Sequence, residues 1–266
     1  MKEQISIEFE NEAFKVWTDE SIAVIKIKSN AFFSLVDMDI SRKILDWFDL
    51  ISKKEEINVI LILNEKGCLG NAAYDVFVTE IIGKEIKAGE GKILSEHDLI
   101  LVRSKEINIL NSFIRSTIGF RKLVVSGLNG TIATPFFGAS LASNFRFGTE
   151  DMRISFSHIK YGIHAGGALP FLLPKYIGIG KASEYIFSGG EISAEKALKI
   201  GLINKIIPTE NFNDECIKES KRLSQWGSRY IRWTKHLLTP YKEDLIEYLH
   251  DEEKYIDHYK EIKSIE

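Results

Sequence analysis

His158, in Ser157-His-Ile-Lys-Tyr-Gly162, is the residue best suited by type to move protons at neutral pH. An imidazole with an ordinary pKa of about 6.5 can act there as acid or as base. A second reading stands beside this one, a buried histidine satisfied by one backbone carbonyl. His164 sits on the next loop, His164-Ala-Gly-Gly-Ala168, where it either shares a pocket with His158 or faces solvent from a turn. The remaining histidines, His97, His236, His250 and His258, show no pairing at metal-ligand spacing, and Cys68 and Cys216 are too few for a cysteine zinc site or a disulfide framework. No metal is expected. Two such cysteines suit a reducing compartment, with a cytoplasmic location as the default. Gly166-Gly167 as a phosphate cradle would be a weak signal, since a lone glycine pair carries little information.

These residues need elements to hold them. A continuous apolar run, Val59-Ile-Leu-Ile-Leu63, reads as a strand buried on both faces. The glycine-bearing loop Lys66-Gly-Cys-Leu-Gly-Asn-Ala-Ala-Tyr-Asp75 follows at its carboxyl end, where open α/β sheets place ligands. Before it, Phe14–Trp17 and Ile22–Lys28 alternate as a hairpin does, and Asp37–Ser52 carries an apolar helical face. Strand, helix, strand then implies a right-handed crossover and parallel pairing. Further on, Lys122–Gly130 and Thr134–Ser143 read as strand, turn and helix start. Thr134 is positioned to cap that helix and Pro135 to occupy its first turn, so that the amides of Phe136 and Phe137 face a pocket attractive to negative charge. Lys84–Lys92 reads as a surface segment, a lid or a solvated loop, and Ser95–Phe120 as a long helix that breaks near Ser104. After Pro208 three helices follow, Asn211–Trp226, Ser228–Leu238 and Lys242–Ile262. The charge run around Asp251-Glu-Glu253 reads as a solvated face.

The whole chain narrows the function classes. Its 266 residues, 44% hydrophobic and 27% charged, are ordinary for a domain with a sizeable core, and a net charge of -3 argues against a nucleic-acid partner. The first residues lack the apolar core of a signal peptide and no apolar run approaches the ~20 residues of a membrane span, so a protein neither exported nor membrane-spanning is expected.

The order of pieces from about Ile22 to the last helices resembles the crotonase (enoyl-CoA hydratase/isomerase) superfamily, and this chain looks like a divergent member. The most specific part is a glycine turn at Ser188-Gly-Gly, a helix from Ser193 to Ile200, then Gly201-Leu-Ile-Asn and an apolar strand ending at Pro208. The resemblance implies an α/β fold, with a repeated ββα-type core of mixed or parallel sheets over residues 1–208 and a C-terminal helical region over 209–266 that covers the pocket or forms a trimer. A homotrimer or hexamer follows from the resemblance alone.

In this family two backbone N–H groups bind a thioester oxygen as it becomes an enolate or oxyanion, each commonly worth ~3 kcal/mol. The resemblance places the first at Asn71. It places the second at Pro135, which has no N–H, so either that donor is lost or the Phe136 amide takes over. The two hydratase glutamates fall at Gly138 and His158, so both are missing. Tyr74, Asp75 and Tyr161 are secondary candidates, with core filling as the other reading of the tyrosines. Gly166 and Gly167 would shape the acyl pocket. The substrate implied is an acyl thioester of coenzyme A or of an acyl carrier protein, with no separate cofactor. The reaction implied is decarboxylation, isomerisation or dehydration rather than plain hydration. Two rival readings remain. One is a β-diketone-cleaving C–C hydrolase like 6-oxocamphor hydrolase, although the aspartate that backs the histidine there falls at Gly167 here. The other is a non-catalytic subunit for binding or assembly.

Overall fold

A computed structural model describes residues 7–28, 38–82 and 95–262 of the chain. The expected lid at Lys84–Lys92 lies outside the described residues. The alternating segments pair as anticipated, β2 (Phe14–Asp19) with β3 (Ile22–Ile27), and a short strand not read from the sequence, β1 (Phe9–Glu10), extends them into an antiparallel meander. Helix α1 (Met38–Ser52) then buries Ile44, Trp47, Phe48 and Ile51 and returns the chain to β4 (Val59–Asn64). All six residues of β4 are buried, because it pairs in parallel with β3 on one side and with β5 (Leu123–Leu128) on the other.

Between β4 and β5 run α2 (Asn71–Ile82) and α3 (Glu96–Gly119). Helix α3 is continuous, without the expected break near Ser104. Ile107, Leu110, Ile114 and Ile118 keep one face in the core, and a serine inside a helix costs only a few tenths of a kcal/mol.

After β5 come β6 (Thr131–Ala133), α4 (Thr134–Ser140), β7 (Phe145–Thr149), β8 (Arg153–Ser155) and a 3₁₀ turn (Ser157–Tyr161). The chain continues through α5 (Leu169–Ile177), α6 (Ile179–Ser188), β9 (Glu191–Ser193), α7 (Ala194–Lys199) and β10 (Lys205–Ile207). It ends with α8 (Phe212–Ser224), α9 (Ser228–Leu238) and α10 (Lys242–Ile262). Seven strands form the main sheet in the order β1-β2-β3-β4-β5-β7-β10, parallel from β3 onward. Strands β6, β8 and β9 form a second, three-stranded sheet.

The glycine-to-proline segment earns its specificity through β7. Asn204 donates its N–H to the Arg146 carbonyl at 2.7 Å and accepts the Arg146 N–H on Oδ1 at 2.8 Å. The buried Arg146 guanidinium donates to the carbonyls of Leu202 and Ser143 and lies over the Tyr176 ring. The C-terminal helices join the same core, where Leu245 and Leu249 of α10 are fully buried with Leu110, Ile114 and Leu169. Among the described residues, no helix is long and apolar enough to cross a membrane.

Candidate functional site

Two backbone segments meet at the carboxyl ends of β4 and β5. The loop after β4 is tightened by bonds from Cys68 N to Glu65 O and from Gly70 N to Gly67 O, with Gly67 at φ 85°, before α2 starts at Asn71. Strand β6, which the sequence reading did not separate from the turn before α4, then docks on this loop: the Ala133 N–H donates to the Leu69 carbonyl at 2.7 Å. A Cβ on Gly70 would lie 3.2 Å from the Thr131 carbonyl, so a larger residue there would require the two segments to move apart by a few tenths of an ångström. The elements carrying Asn71 and Phe136 are thereby held side by side.

Thr134 is not the cap expected of it. Ala133 occupies the N-cap position in extended conformation and Thr134 is the first helical residue, with Pro135 within the first turn. The Thr134 hydroxyl is drawn away into a buried network, 2.9 Å from the Ser155 carbonyl and 3.1 Å from His158 Nδ1. His158 lies in the 3₁₀ turn that follows β8, 3% exposed, and its Nε2 is 3.0 Å from the Ile186 carbonyl. A carbonyl only accepts, so Nε2 carries a hydrogen. In the neutral ring Nδ1 accepts the Thr134 hydrogen. In the protonated ring Nδ1 donates to Thr134 Oγ, which passes its own hydrogen to Ser155. Both states are accommodated by turning one hydroxyl, and both tie the first residue of α4 to α6.

Gly138 faces the Gly166-Gly167 loop at a distance that admits no side chain. A Cβ there would sit 2.4 Å from the Gly167 carbonyl oxygen and 2.8 Å from that of Gly166. Gly167, at φ 66°, is confined in turn, since its own Cβ would lie 2.0 Å from the Pro135 carbonyl. These two glycines pack α4 against the loop main chain and do not form an open cradle.

Tyr74, Asp75 and Tyr161 come together. The Tyr161 hydroxyl donates to Asp75 Oδ1 in a short hydrogen bond, and the Tyr74 and Tyr161 rings meet edge-on at 5.6 Å. Burial, then the bond to Asp75, then the charges of Asp75 and Glu106 push the Tyr161 hydroxyl well above its ordinary pKa. Asp75 is one turn after Asn71 in α2, and Ala133 and Phe136 pack in the same cluster as Tyr74 and Tyr161. His164 points to α10, with Nε2 3.8 Å from Glu252 Oε1. Glu252 is only 6% exposed, an exception within a run whose neighbours Asp251 and Lys254 face solvent. Neither Glu106 nor Glu252 was singled out from sequence; each lies in another helix, far along the chain from its neighbour.

Beside Phe136 lies an apolar cavity of about 60 Å³, walled by Leu69, Leu110, Phe113, Phe136 and Ala139 among others. The Asn71 side-chain oxygen and the Ser157 hydroxyl are buried with no hydrogen-bond partner. Such buried, unpartnered polar atoms are uncommon in folded proteins.

With this geometry in view, the likenesses to known proteins are informative. The sequence model of the family described as Enoyl-CoA hydratase/isomerase matches residues 109–266, more than half of the chain. The chain belongs to that family, within the crotonase superfamily. A curated relative, the probable enoyl-CoA hydratase EchA12 of Mycobacterium tuberculosis, is 27% identical over 135 residues, covering 50% of this chain and 47% of the relative. The chain thus spans about half the length of the curated relatives it matches. The enoyl-CoA hydratase of Bacillus halodurans superposes with a TM-score of 0.71 at 18% identity, over 92% of this chain and 94% of that one. An enoyl-CoA hydratase from Mycobacterium avium subsp. paratuberculosis gives 0.70 at 18% identity, over 94% and 92%. At such identities the superpositions establish the fold.

Proposed function

We propose that this protein is an enzyme acting on an acyl thioester, of coenzyme A or an acyl carrier protein, whose thioester oxygen binds between the amides of Asn71 and Phe136. The reaction is decarboxylation, isomerisation or dehydration through an enolate rather than addition of water. The observation that supports this reading is the crowding at Gly138: the loop before Asn71 and the strand before α4 lie side by side through the Leu69–Ala133 bond, while a side chain at Gly138, where the resemblance would put a hydratase carboxylate, would meet the Gly166 and Gly167 carbonyls. Two positioned donors stabilise charge that develops on the oxygen, and this needs no second carboxylate. The small apolar cavity beside Phe136 suits a short acyl end.

His158, proposed from sequence as the proton-transfer group, is held at both nitrogens. We assign it the positioning of the Phe136 amide through Thr134, and we assign proton transfer to the Tyr161–Asp75 pair beside Asn71. Turnover of 3-hydroxyacyl-, enoyl- and 2-carboxyacyl-CoA thioesters, followed by mass spectrometry beside a cyclic β-diketone, tests the class. Product from the diketone alone would sink the thioester reading. Tyr161→Phe should lower kcat by ~100-fold or more. His158→Gln, which can keep bonds to Thr134 and Ile186, should retain most activity with an unchanged pH profile. The reverse pattern returns acid–base work to His158.

A further inference from the structure

A groove opens at the amino end of β5, the end of that strand away from the segments carrying Asn71 and Phe136. It has a volume of about 520 Å³, set between the end of α3, the Phe120–Arg121 link into β5, and helix α9. Its wall carries Arg121, Arg229, Arg232, Lys235, His236 and Lys242, and among the described residues no acidic side chain lines it. The composition does not force this. The chain has 38 acidic against 35 basic residues, and elsewhere exposed lysines pair readily, as Lys53 does with Asp49 and Lys181 with Glu184. The three arginines and Lys242 have no such partner among the described residues. The indole of Trp233, 61% exposed, stands at the rim.

Lys235 separates this groove from an ordinary solvated basic face. It is 5% exposed, and its Nζ donates to the carbonyls of Thr117 at 3.1 Å and Lys122 at 3.0 Å. An ammonium has three hydrogens, and these two bonds use two of them in a residue that lines the groove. A buried ammonium without a counter-charge is costly, and an anion in the groove supplies what the protein does not. Burial, with Lys242 adding to it, lowers the Lys235 pKa to about 7, in keeping with a missing counter-ion. Guanidinium forks bind phosphoryl oxygens two at a time, and the volume is that of a nucleotide-sized ligand.

We propose that this groove is a binding site for a small oligophosphate, its phosphoryl groups held by Arg121, Arg229, Arg232 and Lys242 with Lys235 Nζ at the base. The site is separate from the thioester site and does not depend on the proposed reaction. Isothermal titration of the full chain with pyrophosphate, and with orthophosphate for comparison, tests it in 150 mM NaCl, where loose surface attraction is screened within ~8 Å. Pyrophosphate should bind at least ~10-fold tighter than orthophosphate. The pair Arg229→Ala and Arg232→Ala, both exposed and unpaired, should weaken pyrophosphate ~10-fold or more while leaving the unfolding midpoint unchanged. ATP should quench Trp233 fluorescence, and the quench should vanish in Trp233→Leu. Equal affinity for the two phosphates would mean simple charge attraction and overturn the proposal. So would pyrophosphate binding that survives the double substitution.

Discussion

On the two proposals made above, the two ends of the main sheet would handle negative charge with different materials. At the carboxyl end the chain uses backbone: a glycine loop, a short strand and the first turn of α4, fixed by the Leu69–Ala133 bond and packed too closely for side chains at Gly138 and Gly167. At the amino end it uses long cationic side chains on α9 and the β5 approach, with a single buried lysine beneath them. Fixed amides suit charge that develops briefly at one atom, because they need no reorganisation when it appears. Exposed guanidinium groups suit a ligand that arrives already charged. The contrast predicts that the carboxyl end tolerates almost no change of volume and that the amino end tolerates loss of side chains.

The sharpest break would come at Gly138. Gly138→Glu restores a side chain of the type expected of a hydratase, yet its Cβ enters the space of the Gly167 carbonyl. Overpacking against main chain should cost about 3 kcal/mol or more in urea unfolding, with no gain of hydratase activity. A variant as stable as the parent would show that the Gly166-Gly167 loop yields easily, and would remove the argument against hydration.

Next in size is the pH response of Lys235. With a folded pKa of about 7 against an ordinary 10.5, the folded state holds fewer protons than the unfolded chain between these values. Stability therefore rises with pH across that window and is lost as pH falls from about 10 towards 7. Lys242, His236, Arg121, Arg229 and Arg232 share the groove, and Lys122 lies behind it, so the effect is best isolated as a difference. The stability of Lys235→Met relative to the parent should increase as pH drops from 10 to 7, by an amount on the order of a few kcal/mol. A difference independent of pH would mean that the ammonium is solvated. Pyrophosphate should narrow the difference near pH 8, because an anion in the groove favours the protonated lysine.

The sequence shows unevenly through these features. The hairpin, the buried β4 and the Gly201–Pro208 segment were readable because their signals are local: alternation, an apolar run, a glycine with φ 77° ahead of an asparagine that pairs with β7. Asn71 could be named only by resemblance, whereas the Phe136 amide also follows from the helix start at Thr134-Pro135; Thr134 itself looks like a cap, a threonine before a proline, until Ser155 and His158 arrive from 21 and 24 residues further on. Gly138 read merely as a missing carboxylate. Its reason lies in Gly167, in another segment. The basic groove was invisible for the same cause, since Arg121 and Arg232 are brought together only by the packing of α9 onto the end of α3.

The smallest effect worth measuring concerns how firmly the last helix belongs to the core. Arg115 of α3 and Glu253 of α10 meet at 2.5 Å, and Asn111 also donates to the Leu249 carbonyl. Both charged side chains are about a third exposed, 34% and 28%, so solvent screens the pair. Burial raises the Glu253 pKa, but the bond and charge of Arg115, with smaller help from Asn111 and His250, outweigh it and lower the pKa overall; a lowered carboxylate pKa contributes stability above its unfolded value that is lost as pH falls through the folded one. Arg115→Ala should therefore cost no more than about 1 kcal/mol at pH 7 and almost nothing well below pH 4, measured by urea unfolding. Leu249→Ala, by contrast, should cost about 3 kcal/mol at either pH, since that side chain is fully buried among apolar neighbours. If both substitutions proved nearly silent, α10 would be held by something other than its contact with α3. The His164–Glu252 approach would then be the remaining tie between the C-terminal helix and the loop that presses on α4.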